Sequence, residues 1–440
     1  MRRSVHSPPS LVHRKATDDG LWMVGEYLLV VLLCGTILFA TVVHPNTVEG
    51  SEVRAGVARD VFILPEGVPL AGYSRRRGTQ SHSLHDPVGV RALVLQDADT
   101  AAALVSCDVL IITERLFDAV HRRVIAGGLP ERTVLMIAAT HTHSGPGAYG
   151  ESFLEQWGMG RYDPKVFDAV ASTIAQTILR AHEQLVPVQI AYERTATEGL
   201  VVNRTSPEGV VDADVTVCAF VREGRVPLAV LVNFAAHPTT LGSWNTQLSA
   251  DYPGVVMRDV ERRFPTATCL FFAGAVGDQG PVKEGNDYAP AERVGQKLTA
   301  HVIALIEKAS EHQPAHLAAA QERIPLPPAR VRVHRAALPS WLSRALVDDD
   351  ATLSALVIGD IAFFGVPCDL FASLGHILKH EAESRSLQPM VVGFANDYIG
   401  YCVPEAAYNT DTYEASMAFN GPTTGSLIVD RLIQLLDQLQ

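Results

Sequence analysis

Several segments of this chain place side chains that can bind a metal or move a proton directly behind apolar runs. Residues 133–138 (TVLMIA) lead into Ala139-Thr140-His141-Thr142-His143-Ser144-Gly145-Pro146-Gly147. Such an apolar run predicts a buried strand. In extended backbone, residues i and i+2 share a face, so the imidazoles of His141 and His143 can address one target. Imidazole is a common ligand of divalent metals and the usual general base near neutral pH. The arrangement recurs. Residues 228–236 (LAVLVNFAA) end at His237, and residues 268–273 (TCLFFA) run into a loop carrying Asp278. Residues 356–366 stop just before Asp369, and residues 389–395 lead to Tyr401. Two histidines, a carboxylate and a phenol from four strand ends would form a hard-to-borderline metal site, which zinc suits.

The elements that must position these groups alternate. Short strands are expected at 60–65, 90–95 and 103–105, and a helix over 110–124. Asp163-Pro164 opens another helix, with Asp as N-cap and Pro at the first helical position. Val166, Val170, Ile174 and Ile178 give that helix one apolar face, and Val294, Leu298, Val302 and Ile306 do the same for a helix over 290–306. A helix over 370–380 follows Asp369. The Pro-rich stretch 324–328 is expected to cross between parts of the fold. No internal repeat is visible. The class is α/β, with mixed sheets flanked by helices and an active site at the carboxyl ends of strands.

The chain has 440 residues and a net charge of −12, with no dense Lys/Arg block, which argues against nucleic acid. Of six cysteines, Cys34 lies in an N-terminal apolar run. The other five form no CxxC pair and no framework, and are expected to be small core residues. Residues 21–43 are apolar apart from Glu26 and follow Arg2, Arg3, Arg14 and Lys15. They read as an uncleaved signal anchor behind a cytoplasmic leader (1–20), with a polar tether (44–53) and the folded domain (54–440) beyond. A cleaved signal peptide is the alternative. Either way the catalytic part is extracytoplasmic, membrane-anchored in the first case and secreted in the second.

The motif THTHSGPG at 140–147 is similar to the signature of the neutral (non-lysosomal) ceramidases. So are NRT at 203–205, NFAAHP at 233–238, GDQGP at 277–281 and the Tyr401/Tyr413 spacing. The resemblance spans about 54–433, without the C-terminal immunoglobulin-like domain of longer members. It implies a zinc hydrolase that splits a lipid amide, ceramide, into a fatty acid and a sphingoid base. It implies His141, His237, Asp369 and Tyr401 as zinc ligands, with Asp369 standing where the family has Glu. Tyr413 would steady the oxyanion, Arg204 and His143 would line the site, and Asp278 would belong to the catalytic loop.

One departure stands out. Gly280 occupies the position of the family's nucleophilic serine, and glycine cannot form an acyl-enzyme. Direct attack by zinc-bound water would replace it. The alternatives are a metal-dependent esterase or amidase acting on another acyl substrate, and a catalytically silent lipid-binding homologue. An amidohydrolase barrel fits poorly, because its His-x-His pair comes near the first strand.

Overall fold

Strands β1 (Arg54–Val61), β2 (Gly89–Gln96) and β3 (Ala101–Cys107) form an antiparallel meander. Helix α1 (Glu114–Ala126) then returns the chain so that β4 (Val134–Ala139) lies parallel to β3. Helix α2 (Pro164–His182) packs on α1 and β1. The chain repeats this plan twice. Strands β5 (Gln189–Ala196), β6 (Asp214–Arg222) and β7 (Val226–Phe234) meander, α3 (Asp251–Arg263) crosses, β8 (Thr268–Ala273) pairs parallel to β7, and α4 (Ala289–Lys308) covers α3. Strands β9 (Leu317–Pro325), β10 (Asp350–Ile358) and β11 (Ile361–Val366) meander, α5 (Ala372–Ser384) crosses, β12 (Gln388–Gly393) pairs parallel to β11, and α6 (Thr424–Gln438) packs on α5. This computed structural model describes residues 52–440 except 77, 315, 334 and 335.

The topology thus repeats where the sequence shows no internal repeat. Three units share one strand order while their sequences share no motif, because pairing needs only apolar alternation and not particular residues. The alternation is visible in β2 and β3. Leu93, Leu95 and Leu104 face a central cluster with Phe220, Phe272 and Phe363, while Val94 and Val105 face the cluster that includes α1 and α2. Each such fully buried side chain stabilises by roughly 1.5–3 kcal/mol, so the centre where the three sheets meet holds the units to one another.

Polar side chains seal the unit edges, where backbone groups would otherwise lack partners. The Ser106 hydroxyl donates to Phe271 O at 2.6 Å, joining the first and second units. Asn233 Nδ2 donates to Phe272 O at 2.9 Å and Val391 O at 2.8 Å, joining the second and third. Asn396 closes the ring: its Nδ2 donates to Leu135 O and its Oδ1 accepts from Ile137 N, both at 2.8 Å.

Several local boundaries move. The strand expected at 60–65 ends at Val61. The helix expected over 110–124 starts at Glu114, because the Thr113 hydroxyl caps Leu116 N at 3.1 Å and leaves 110–112 as a buried connection. The stretch 324–328 is the end of β9 and the loop after it, inside the third unit. Asp163 caps α2 as expected, accepting from Lys165 N at 2.9 Å. All five described cysteines are buried and free. The leader, the apolar run 21–43 and residues 44–51 of the tether lie outside the described residues. Among the described residues no helix is long and apolar enough to cross a membrane.

Candidate metal centre

The strand ends of all three units converge. β4 ends at Ala139, and His141 then adopts φ 64°, a left-handed conformation uncommon for a non-glycine residue. Phe394 (φ 57°) and Asn396 (φ 67°) just after β12 do the same. Strained backbone of this kind persists where its surroundings enforce it. Here the Phe394 ring stacks on His141 with centroids 3.7 Å apart. His237 follows β7, and Asp369 follows β11. The loop after His237 is clamped by Asp251 (φ 58°), which accepts from the Thr240 hydroxyl and from Leu241 N at 3.0 Å. Arg76 holds the His143 backbone, donating to His143 O at 2.5 Å and to Ala71 O at 3.0 Å.

The three Nε2 atoms form a triangle. His141 to His237 measures 2.9 Å, and His143 lies 3.2 Å from each. His141 Nδ1 faces Leu110 O at 2.7 Å, so that nitrogen carries the proton and Nε2 is left with its lone pair. His237 Nδ1 has only acceptors near it, Val276 O at 3.4 Å and Asp369 Oδ1 at 3.8 Å, and the same assignment follows. Two lone pairs at this distance repel unless a cation lies between them. Asp369 adds a second sign. Its Oδ1 is buried without a hydrogen-bond partner, 3.7 Å from His141 Nε2, while Oδ2 accepts from the Tyr398 hydroxyl at 2.8 Å. Three nitrogens bound about 2.0–2.1 Å from one tetrahedral ion lie about 3.3 Å apart, close to the spacings found. The donor set fits a divalent metal.

Burial sets the protonation. It pushes His141 down to about 3 and holds His143 and His237 well below the usual imidazole range, with the Arg204 charge adding to the effect. All three are neutral at pH 7, the form that ligates. Burial raises Asp369 to about 7, against the lowering influence of Arg204, Tyr398 and Tyr401.

The other expected site residues stand around this cluster. Tyr401 is buried and pairs in parallel with Asp369 through backbone. Its hydroxyl accepts from Arg204 Nη2 at 2.8 Å. Arg204 also donates to Gly277 O at 2.8 Å and pairs through Nε with Glu414 Oε1 at 3.1 Å. Tyr413 is 62 % exposed and meets Tyr401 edge-on with ring centroids 5.8 Å apart. Asp278 is engaged within the fold: it accepts from Asn203 Nδ2 at 2.7 Å, Gln279 Nε2 at 3.0 Å and Ala372 N at 2.8 Å, the last at the start of α5. Gly277 has to be glycine, because a Cβ there would fall 2.7 Å from Asp369 O. Gly280 is different: a Cβ would meet nothing closer than Arg204 Cβ at 3.6 Å, so the place of a serine is open. His143, expected to line the site, joins the nitrogen triangle itself. Tyr398, Glu414 and the Leu110 carbonyl had no signal in the sequence, since each is recruited by the fold and not by a motif.

A family profile described as neutral/alkaline non-lysosomal ceramidase, N-terminal, matches residues 56–276. A neutral ceramidase of Pseudomonas aeruginosa is 25 % identical over 309 residues, 64 % of this chain and 46 % of the relative. One from Mycobacterium tuberculosis is 24 % identical over 51 % of this chain and 40 % of its own length, and one from rice (Oryza sativa subsp. japonica) is 27 % identical over 55 % and 31 %. The matched stretch thus spans less than half of each of these relatives. The crystal structure of the Pseudomonas aeruginosa neutral ceramidase superposes with a TM-score of 0.78 at 19 % identity, covering 88 % of this chain and 74 % of that one, which shows a shared fold. With half of its length matched by that profile, the chain belongs to the neutral/alkaline non-lysosomal ceramidase family.

Proposed function

We propose that the chain is a zinc-dependent hydrolase of lipid amides, cleaving N-acylsphingosine to a fatty acid and a sphingoid base. The observation that carries this reading is the convergence of His141, His143 and His237 Nε2 with the unpartnered Asp369 Oδ1. These four would hold the ion, with Tyr401 alongside. A bound divalent ion supplies Lewis acidity and an activated water. The chain's own part is positioning. Leu110 O and Val276 O orient two of the rings, and Tyr398 orients the carboxylate. Arg204 and Tyr413 supply positive charge and a hydroxyl for the oxyanion that develops as the amide carbonyl is attacked. With Gly280 in the serine's place, hydrolysis runs without an acyl-enzyme.

Gly280 also motivates a second reading, a metal-dependent esterase or amidase on a different acyl group. One preparation of the full chain, given a fluorescent ceramide and a matched acyl ester with zinc and then with chelator, separates the two. Chelator-sensitive release of fatty acid from ceramide supports the first reading. Turnover of the ester alone supports the second. Lipid binding without any turnover would leave a silent homologue.

A further inference from the structure

We infer that Glu414 balances the charge of Arg204 so that the centre can hold a divalent cation beside a guanidinium. The inference rests on the metal reading above. Arg204 reaches into the centre: its Nη2 bonds the Tyr401 hydroxyl, whose backbone pairs with Asp369. A fixed positive charge there opposes entry of any cation. With a cation bound, three neutral imidazoles and the ionised Asp369 would contribute a single negative charge, which Arg204 cancels. Glu414 restores it. Its side chain is buried, and Oε1 lies 3.1 Å from Arg204 Nε. Among the described residues no other carboxylate forms an ion pair with Arg204. The Arg204 side chain is 27 % exposed, so water screens part of its field, and the expected effects are moderate.

Glu414 meets the centre only through Arg204, so it is a positioning and charge-balancing residue. The glutamate sits one position after Tyr413, on the short helix Tyr413–Ser416. The Thr412 hydroxyl caps that helix, accepting from Ala415 N at 3.3 Å. The carboxylate is thus held by a fixed turn and not by a mobile loop.

The test is metal affinity, read by competition between the full-length protein and a chromophoric chelator for Zn2+. Glu414→Gln keeps shape and removes charge. It should bind Zn2+ roughly tenfold more weakly than the parent. Arg204→Met should bind more tightly, and the double variant should return close to the parent. Unchanged affinity in Glu414→Gln overturns the inference, and so does weakening in both single variants, which a merely structural role would produce. If Glu414→Gln does not fold, the sign of the Arg204→Met effect decides. A parent protein that binds no Zn2+ would instead overturn the metal reading itself.

Discussion

His141 Nε2 and His237 Nε2 lie 2.9 Å apart although the residues are 96 positions apart in the chain. With the proton of each ring on the Nδ1 that faces an acceptor, neither ring donates to the other across that gap. A cation between them removes the repulsion. Zinc should therefore raise the melting temperature by several degrees. Binding at a hundredfold excess over Kd stabilises by about 2.7 kcal/mol. His237→Ala should cancel the shift. Differential scanning fluorimetry with and without metal checks this, and an equal shift in the variant would count against the site.

Tyr398→Phe removes the hydroxyl that donates to Asp369 Oδ2. Loss of such an orienting partner typically costs about 10–100-fold in metal affinity or activity. The variant should fold normally and bind zinc more weakly by that order. Affinity equal to the parent would mean that Asp369 is not a ligand.

Gly280→Ser should fold with little change, since the added Cβ meets only ordinary contacts. It should also acquire a nucleophile. Intact-protein mass spectrometry after mixing with an activated acyl ester should show an acyl adduct in the variant and none in the parent. An adduct in both would place the nucleophile elsewhere.

Lys379 and Asp212 form a buried pair at 2.7 Å that ties α5 to the second unit. Breaking one side of a buried pair costs roughly 3–5 kcal/mol, because the remaining charge is stranded. Lys379→Met should lose about that much in urea unfolding, and adding Asp212→Asn should recover part of it. A loss below about 1 kcal/mol would show that water reaches the pair.

Burial raises the Asp397 carboxyl to about 8, its backbone bond from Tyr398 N opposing and Asp348, Glu114 and Asp350 reinforcing the shift. The folded state thus favours the protonated form. Its contribution to stability is full below the unfolded value, about 3.9, and is lost as pH rises through about 8. Metal-free protein should melt at progressively lower temperature across that window, and Asp397→Asn should flatten the decline. Parallel profiles for the two proteins would assign the pH dependence to other groups.

Much of this was legible in the chain, for identifiable reasons. β8 and the apolar faces of α2 and α4 follow from apolar runs and spacing, which burial enforces directly. His141, His237 and Asp369 stand out as candidates because each lies just beyond such a run. The two histidines of His-x-His do meet, yet through the left-handed turn at His141 and not through the pleat of a strand. Residues 110–112 looked helical because they are apolar; the Thr113 cap frees them, and that connection carries the Leu110 carbonyl to His141. The partners of Asp369 and Arg204, Tyr398 and Glu414, come from neighbouring stretches of no special composition. The threefold plan was invisible because strand order leaves no trace in residue identity.

That plan has a consequence for how the protein matures. His141 and His143 come from the first unit, His237 from the second and Asp369 from the third, so no unit carries a complete donor set. Contacts this distant in sequence form late, after the entropy of closing long loops has been met. On the proposed metal reading, ion uptake would belong to the final stage of folding, because the first unit alone offers only His141 and His143 and no unit alone offers all four donors. On that reading, retention of a metal would report that all three units have assembled in register.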